Sequence, residues 1–329
     1  MKAEHPISPT RTIDIVEVSP RDGLQNEKTL LSIADKVELV LRAAASGARR
    51  IEAVSFVNPK AVPQMADAEA VLEAVAEPLA ALAGPVVLSG LVLNRRGLDR
   101  AIRVGLKEIN FVVVASETFN RRNQGASVAE TLAQIAEAGA IARLEGVELT
   151  VTIAAAFGCP FEGEVPSRGV VDLALAASES GLKEIALADT IGVGDPLAVE
   201  TLIGEVRSAL PALPIRCHFH NTRNTGFANA YAAWRAGAAA LDSSIGGVGG
   251  CPFAPAATGN IATEDLAYML GRMGVQTGLR LDTLIDAASW LAARLDKPSA
   301  GALGRAGLFP PPSLAASDAG PETPQRVRA

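Results

Sequence analysis

The chain contains few cysteines, few histidines and no long apolar run. Its 329 residues include three Cys and three His. So small and odd a number of cysteines excludes a disulfide-stabilised scaffold and is typical of a reducing compartment. The most apolar stretch, roughly residues 79–93, is interrupted by Gly84, Pro85 and Gly90, which excludes a membrane span there. The first ten residues also lack the apolar core of a secretion signal, so we expect a cytoplasmic protein with no membrane partner.

Acidic residues outnumber basic ones. The chain has 36 Asp and Glu against 30 Lys and Arg, for a net charge of −6. An acidic chain is repelled by phosphate backbones, which argues against nucleic acid as the main partner. The average charge remains compatible with a local basic site for a phosphorylated ligand.

Short β-branched runs alternate about eight times with longer segments rich in Ala, Leu and Glu. The runs predicted to form strands are residues 13–20, 50–57, 86–93, 108–114, 148–157, 184–189, 215–220 and 240–245. Eight βα units in about 250 residues match the size of a (β/α)8 TIM barrel. A doubly wound sheet is the alternative, but its usual glycine-rich first turn is missing after the first run. We therefore predict the α/β class and a TIM barrel.

The helical segments carry signals for where they end. Glycines typical of helix C-termini precede several of the predicted strands; they are Gly47, Gly105, Gly146, Gly181 and Gly237. After the eighth run, residues 263–274 are predicted to form the last barrel helix and residues 280–296 an added C-terminal helix.

These elements divide the chain into three parts. From about Pro311 the composition turns to Pro, Ala, Ser and Gly without a period, which is typical of a loose tail. The predicted parts are an N-terminal arm (1–12), a barrel domain with its added helix (13–297) and a flexible tail (298–329).

The segment CHFHN, residues 217–221, contains two of the three histidines. On a strand, His218 and His220 point to the same face because side chains alternate with a period of two. Catalytic groups of TIM barrels sit where strands end, so both rings are predicted to face the barrel mouth. Because imidazole is the commonest metal-binding side chain, the pair predicts metal ligation. The alternative is two structural histidines with local hydrogen bonds.

An Arg-Asp pair ends the first predicted strand, in VEVSPRDGLQNE (residues 16–27). In a closed barrel the first and seventh strand ends are separated only by the eighth, so Asp22 is predicted to reach the same ion as the histidine pair. The guanidinium of Arg21 then suits a developing oxyanion. The alternatives are a helix-capping Asp22 and a surface Arg21.

A glycine-rich segment follows the eighth predicted strand, GGVGGCPFAPAATGN (residues 246–260). Its mixture of glycine and proline is typical of a closing lid. Cys251 lies in its centre, where a thiol predicts an acid–base role, with an inert buried cysteine as the alternative. Asn260, at the far end, offers a neutral oxygen to a coordination shell or caps the next helix.

Together, several segments resemble the 3-hydroxy-3-methylglutaryl-CoA (HMG-CoA) lyase family, a group of metal-dependent TIM-barrel lyases that open with an Arg-Asp pair. The segments are VEVSPRDGLQNE, SFVNPKAVPQMAD, ADTIGVGDP, HFHN and GGVGGCPFAPAATGNIATEDLAYML. The resemblance runs from about residue 13 to residue 296. The Arg-Asp-Gly and His-x-His elements are shared with condensing relatives such as isopropylmalate and homocitrate synthases, whereas the Gly-Gly-Cys-Pro loop indicates the lyase branch.

The resemblance implies a divalent cation held by Asp22, His218, His220 and Asn260. It favours Mg²⁺ or Mn²⁺, although the ligand chemistry alone admits Zn²⁺ equally. It also implies a homodimer that cleaves a 3-hydroxy acyl-CoA to acetyl-CoA and a keto acid, acetoacetate if the substrate is HMG-CoA. The implied roles are stabilisation of an enolate by Arg21, proton donation by Cys251, orientation or proton relay by Asp189, and positioning of Arg21 or of a metal-bound water by Glu52. The alternatives are a helix cap for Asp189 and a buried ion pair for Glu52.

Two departures from the family pattern leave the acyl group open. After His220 the family reads Asp-Thr-Tyr-Gly-Gln, whereas residues 221–225 read Asn-Thr-Arg-Asn-Thr, and the third strand reads SGLVLN in place of a Thr-Pro-Asn ending. Arg223 is therefore predicted to hold a carboxylate placed as in citramalyl-CoA. Basic residues near strand-end loops are predicted to bind coenzyme A phosphates, with ordinary solvated charges as the alternative; they are Lys60, Arg121 and Arg122, together with Lys28 and Arg95.

Two further interpretations stay open. One is a condensing acyl-CoA transferase that uses a 2-oxo acid as acceptor, although its relatives often carry a regulatory domain, for which a tail of roughly 30 residues is too short. The other is a metal-binding barrel that has lost its activity.

Overall fold

Eight parallel strands form a closed barrel. The computed structural model describes residues 11–82, 84–250 and 259–310. Each strand pairs with the next one along the chain, and the eighth pairs with the first. The strands are β1 (Asp14–Glu17), β2 (Arg50–Ser55), β3 (Val87–Val92), β4 (Glu108–Val114), β5 (Glu148–Ala154), β6 (Glu184–Asp189), β7 (Ile215–Phe219) and β8 (Ala240–Ser243). The predicted (β/α)8 TIM barrel is confirmed.

Helices connect the strands and pack around the barrel. They are α1 (Ile33–Ala45), α2 (Ala68–Ala80), α3 (Arg95–Arg103), α4 (Glu117–Gln124), α5 (Val128–Glu145), α6 (Ser167–Ser178), α7 (Pro196–Ala209), α8 (Gly226–Arg235), α9 (Thr263–Arg272), α10 (Leu281–Leu295) and α11 (Leu303–Ala306). The helices predicted after the eighth strand correspond to α9 and α10. No helix in the described ranges is both long and apolar enough to cross a membrane.

The strands are buried on both faces. Every residue of β4 and of β6 is buried. Helices cover one face and the barrel interior covers the other, which explains why EINFVVV and EIALAD are not strictly alternating in hydrophobicity. The main apolar core therefore lies between the barrel and its helices.

Ion pairs fill the amino-terminal end of the barrel. Arg50, which begins β2, donates hydrogen bonds to Glu184 at 2.9 Å and to Glu108 at 3.2 Å. Lys183 adds a second cation beside Glu108, at 2.8 Å. The first residues of β2, β4 and β6 thus supply one interior layer, as alternate strands do in TIM barrels. These charges neutralise one another within the layer.

All five glycines predicted to end helices have left-handed backbone conformations. Their φ angles are +102° at Gly47, +79° at Gly105, +65° at Gly146, +75° at Gly181 and +90° at Gly237. A side chain would be strained at such angles, which explains the choice of residue.

A short helix, α11, lies within the tail that we predicted from residue 298. Leu303 of α11 is buried. The backbone N–H groups of Ala302 and Leu303 donate to the Asp265 carboxylate at 2.7 and 2.8 Å. These contacts tie residues 302 and 303 to α9, whereas most of residues 298–310 are exposed, and the flexibility of the tail stays a prediction. Residues 311–329, and residues 1–10 of the predicted arm, lie outside the described residues.

A buried carboxylate joins the ends of β1 and β8 to α9. Glu17, the last residue of β1, accepts hydrogen bonds from the backbone N–H of Ser19 at 2.8 Å and of Ile245 at 3.0 Å. Its other oxygen accepts from the Thr263 hydroxyl at 2.7 Å. One side chain therefore fixes the turn that follows β1, the turn that follows β8 and the start of α9.

A second buried carboxylate lies beside this junction. Glu264 accepts a hydrogen bond from the backbone N–H of Gly246 at 3.0 Å. Burial raises the pKa of Glu264 to about 7, and burial also raises the pKa of Glu17. Protonation of Glu264 in the folded state should therefore affect stability near neutral pH.

Two helical glycines offer a matched test of packing. A Cβ at Gly139 of α5 would lie 2.3 Å from the carbonyl oxygen of Ser180, whereas a Cβ at Gly204 of α7 would meet nothing within 4 Å. Gly139→Ala should lower the free energy of unfolding by about 1–3 kcal/mol, because overlap with backbone outweighs the gain in helix propensity. Gly204→Ala should raise it by up to about 1 kcal/mol. Urea unfolding measures both, and equal effects of the two changes would contradict this account of the α5 packing.

Glu264→Gln should change how stability depends on pH. The folded-state pKa of about 7 lies above the ordinary value of 4.5, so the folded state binds more protons between these values and wild-type stability falls as pH rises. Relative to Glu264→Gln, the wild type should lose about 2–3 kcal/mol between about pH 5 and about pH 8. Urea unfolding of both proteins at the two pH values measures the difference. The exposed Glu200 supplies the control, since Glu200→Gln should follow the wild-type curve.

Candidate metal and substrate site

A tight turn places Arg21 and Asp22 at the mouth of the barrel. The chain leaves β1 in a π-helical turn, Ser19–Gly23, with Pro20 in its first positions. A Cβ at Gly23 would lie 2.7 Å from Cγ2 of Val248, so glycine lets this turn pack against the segment that follows β8. The close approach brings the Asp22 carboxylate towards the ends of β7 and β8.

The two histidines face Asp22. His218 lies in β7 and His220 directly follows it, and their rings lie 5.1 Å apart between centroids. The Nε2 atoms of His218 and His220 lie 3.8 and 3.9 Å from Oδ2 of Asp22. Possible ligand atoms of the three residues all lie within 4.8 Å of one another. Strands β1 and β7 therefore supply a three-residue cluster that can hold a metal ion.

Asn260 joins this cluster from the segment before α9. Its Nδ2 donates to Oδ2 of Asp22 at 2.9 Å and to the carbonyl oxygen of Val248 at 3.1 Å. A metal would be bound by the amide oxygen, which requires the opposite orientation of the amide; the two orientations are related by a half-turn. The structure thus brings Asn260 to the cluster, with its nitrogen towards Asp22.

The charges and donor atoms of the cluster fit a divalent cation. Burial alone would raise the pKa of Asp22, but the charge of Arg21 and the nearby histidines outweigh it and hold the pKa well below its usual range, so Asp22 is ionised. Nδ1 of His220 is buried with no hydrogen-bond partner among the described residues. One carboxylate and two imidazoles match the ligand preferences of several divalent metals.

A chain of hydrogen bonds fixes the Arg21 guanidinium. Nε of Arg21 donates to the buried carboxylate of Glu52, and Nη1 donates to Asp22 at 2.7 Å. Glu52 in turn accepts from Nδ2 of Asn110 at 2.8 Å, and Asn110 accepts from the Thr152 hydroxyl at 2.9 Å. Side chains from β2, β4 and β5 therefore aim one cation at the metal cluster.

Asp189 holds a loop in this structure. Its two carboxylate oxygens accept the backbone N–H groups of Val193 and Gly194, each at 2.9 Å. Burial raises the pKa of Asp189, although these hydrogen bonds partly offset the effect. Asp189 thus fixes the β6–α7 loop beside the histidine pair.

One cavity opens onto these groups. Its metal side is lined by Arg21, Asp22, His218, His220 and Asp242. The opposite wall is mostly apolar and comes from the ends of β2, β3 and β4 and from α4; it consists of Val57, Leu91, Leu93, Val112, Val114 and Phe119. The amides of Gln25, Asn110 and Asn123 add polar atoms. The arrangement suits a small acyl group with a polar end at the metal and an apolar part against the wall.

The predicted substrate-binding cations lie elsewhere. Arg223 donates to the carbonyl oxygens of Ile191 and Gly192 at 2.9 and 3.0 Å, and it lines a separate cavity beside α8, α9 and α11. The structure therefore does not bring Arg223 to the acyl cavity, because its guanidinium is engaged by the β6–α7 loop.

The cations predicted for coenzyme A are exposed. Arg121 pairs with Glu117 at 2.7 Å and Arg122 lies over the ring of Phe161 at 4.2 Å, while Lys60 is exposed to solvent. None of the three lines the acyl cavity among the described residues. Cys251, the predicted proton donor, lies outside the described residues.

Two site residues were missed by sequence reasoning. Asp242 lies in β8 opposite His218, with its Oδ2 3.1 Å from Nδ1 of His218. Asn110 lies in the fully buried strand β4. The sequence offered the same signal for both, which is a polar residue inside a predicted strand. Asp242 lies in the run ALDSSI, and Asn110 lies in the run EINFVVV. Such residues need a buried partner, which in each case is a group of the site.

Curated lyases are similar to this chain over most of its length. A curated relative 43% identical over 300 residues, covering 90% of this chain and 95% of its own, is the (R)-citramalyl-CoA lyase of Chloroflexus aurantiacus. The hydroxymethylglutaryl-CoA lyase of Bacillus subtilis is 38% identical over 88% of this chain and 95% of its own.

A solved structure is also similar to this chain in sequence and in fold. The HMG-CoA lyase from Acinetobacter baumannii, in complex with coenzyme A and 3-methylmalate, is 37% identical and superposes with a TM-score of 0.86 over 94% of this chain and 98% of that one. The HMGL-like family model matches residues 12–291, which include both the Arg-Asp pair and the His-x-His pair. The chain therefore belongs to the HMGL-like family of TIM-barrel proteins.

Proposed function

We propose that the protein is a carbon–carbon lyase that cleaves a 3-hydroxy acyl-CoA to acetyl-CoA and a keto acid, with HMG-CoA as the first candidate substrate and acetoacetate as its product. The observation that carries the proposal is the cluster of Asp22, His218 and His220, which faces the same cavity as Arg21. The named lyases among its relatives support the reaction class.

The metal proposed for this site is Mg²⁺ or Mn²⁺. Asp22, His218 and His220 would hold it, and Asn260 would do so through its amide oxygen. The mixed carboxylate and imidazole ligands suit Mn²⁺ well, whereas Mg²⁺ prefers oxygen ligands and Zn²⁺ also accepts imidazole. When bound, such a cation lowers the pKa of a coordinated hydroxyl and draws a neighbouring carboxylate to it.

Arg21 is proposed to stabilise the thioester enolate. Breaking the bond between C2 and C3 leaves negative charge on the thioester oxygen of the departing acetyl-CoA. The guanidinium is held by Glu52 and Asp22 through Nε and Nη1, and no described residue accepts a hydrogen bond from its Nη2. A donor fixed before charge develops is worth several kcal/mol of barrier. Glu52 would act through Arg21 as a positioning residue.

Two proton transfers complete the reaction. The substrate hydroxyl loses a proton as the keto group forms, and C2 of the enolate gains one to give acetyl-CoA. Cys251 is proposed as the donor to C2, on the strength of its place in the glycine-rich segment. Asp189 is proposed to take up or relay the hydroxyl proton, because each of its oxygens accepts one backbone N–H group and keeps a second lone pair.

Citramalyl-CoA is the second candidate substrate. It is favoured by the 43% identity to an (R)-citramalyl-CoA lyase. In a solved relative the bound ligands are coenzyme A and 3-methylmalate, a hydroxy acid whose hydroxyl is adjacent to a carboxylate, as in the citramalyl group. The apolar wall around Leu91 and Leu93 suits the methyl group of either substrate.

Coenzyme A binding, a homodimer and a cytoplasmic location remain proposals. The solved complex with coenzyme A supports an acyl-CoA substrate. Binding of the phosphates by Lys60, Arg121 and Arg122 stays a prediction, as does the proposed division into an arm, a barrel domain and a tail.

Metal removal and loss of one imidazole should have the same effect. Purified protein treated with a chelator should release no acetyl-CoA, and added Mn²⁺ should restore release. His220→Ala should reduce turnover to below about one-thousandth, because the cation loses a ligand at the reacting hydroxyl. Cys217→Ala is the matched control: Cys217 is buried on the opposite face of the same strand, and its loss should leave turnover largely intact. Full activity of folded His220→Ala would contradict the proposal.

A substrate panel separates the candidate reactions. With Mn²⁺, HMG-CoA should yield acetyl-CoA and acetoacetate in equal amounts. The assay measures the release of each product. A higher kcat/KM for citramalyl-CoA, with pyruvate as product, would replace the first candidate by the second. Condensation of acetyl-CoA with a 2-oxo acid, without cleavage of either lyase substrate, would contradict lyase activity in favour of a transferase.

A further inference from the structure

We propose that Asp242 is a positioning residue for the metal site: it fixes the tautomer and orientation of His218, so that the Nε2 lone pair of His218 faces the cation. The inference rests on the metal site of the proposed function. It concerns a residue outside the ligand cluster of Asp22, His218 and His220, which acts through His218.

The β7–β8 register brings the two side chains together. His218 lies directly opposite Asp242 in the strand ladder, and both residues are buried. Nδ1 of His218 lies 3.1 Å from Oδ2 of Asp242. Because an ionised carboxylate only accepts hydrogen bonds, Nδ1 must carry the proton at this contact.

The proton on Nδ1 decides what Nε2 can do. A neutral imidazole has one donor nitrogen and one acceptor nitrogen. With Nδ1 as donor to Asp242, Nε2 is the acceptor, and it points at Asp22, 3.8 Å away. This is the arrangement that a metal ligand needs, and carboxylates commonly impose it on metal-binding histidines.

Arg216 places a positive charge beside Asp242. Nε of the fully buried Arg216 lies 3.5 Å from Oδ1 of Asp242 and 3.4 Å from Oε1 of Glu184. Neither contact is a hydrogen bond, and Nε and Nη1 of Arg216 have no hydrogen-bond partner among the described residues. Arg216 therefore acts on Asp242 through charge.

The other histidine lacks such a partner. Nδ1 of His220 is buried and accepts or donates no hydrogen bond within the described residues. Among the described residues, a carboxylate contacts the Nδ1 atom of His218, and none contacts the Nδ1 atom of His220. The two rings are thus held in different ways, and removal of Asp242 should affect His218 alone.

A purely structural role for Asp242 is the competing explanation. Asp242 also balances the charge of Arg216, so its loss could act through the ion network at the amino end of the barrel. Glu184 distinguishes the two roles. It faces the same Arg216 nitrogen at a similar distance and also pairs with Arg50, but it has no hydrogen bond to His218. Glu184→Gln therefore removes the same charge balance without touching the imidazole.

Mn²⁺ binding to the full-length protein, without substrate, tests the proposal. Electron paramagnetic resonance of free Mn²⁺ gives the dissociation constant for the wild type, Asp242→Asn and Glu184→Gln, and circular dichroism checks that each is folded. Asp242→Asn should weaken Mn²⁺ binding by about 10- to 100-fold, and Glu184→Gln by less than about 3-fold. Unchanged binding by folded Asp242→Asn, or equal weakening by both variants, would overturn the inference. Absence of binding by the wild type would instead overturn the proposed metal site itself.

A second measurement leaves Asp242 in place, in case Asp242→Asn does not fold. The chain has three histidines, so nuclear magnetic resonance with isotope-labelled ring nitrogens resolves each ring, and His220→Ala assigns His220. In the Mg²⁺-saturated protein, His218 should show a protonated Nδ1. A proton on Nε2 of His218 would contradict the role assigned to Asp242.

Discussion

The site depends on one contact. The carboxylate of Asp22 lies close to the imidazoles of His218 and His220, where the barrel closes between β8 and β1. Arg21 and the two imidazoles keep the buried carboxylate of Asp22 ionised. Such a buried charge is stable only if nearby charges balance it and the backbone holds these groups in place. Closure of the barrel between β8 and β1 supplies the framework, and the close packing of Gly23 against Val248 supplies the final approach. The ligands lie far apart along the chain, so the site forms only once β1, β7 and β8 have come together.

Charge is arranged in two separate layers inside the barrel. At the amino end, Arg50, Glu108 and Glu184 neutralise one another. At the carboxyl end, Arg21 is held between Glu52 and Asp22. Arg216 lies between the layers, near Glu184 on one side and Asp242 on the other. The two layers are therefore linked through the charge of Arg216.

The sequence predicted the parts of this protein that follow from periodicity and strand ends. Eight runs predicted eight strands, and alternation placed His218 and His220 on one face. Partners set by strand register were not predictable: Asp242 is 24 residues from His218 along the chain, and only the β7–β8 pairing brings them together. The partners of Arg223 were likewise not predictable, because a cation near the mouth has several possible partners, and in this structure nearby carbonyl oxygens accept its hydrogen bonds.

The apolar wall of the cavity and the proposed metal ligands come from different strands. Leu91, Leu93 and Val112 come from β3, β4 and their ends, whereas Asp22 and the histidines come from β1 and β7. Substitutions on the wall can therefore reshape the space for the acyl group while the ligand atoms keep their spacing. Such separation lets relatives diverge in the acids they accept without losing bond-breaking chemistry, and it makes the β3 and β4 ends the natural place to redesign selectivity.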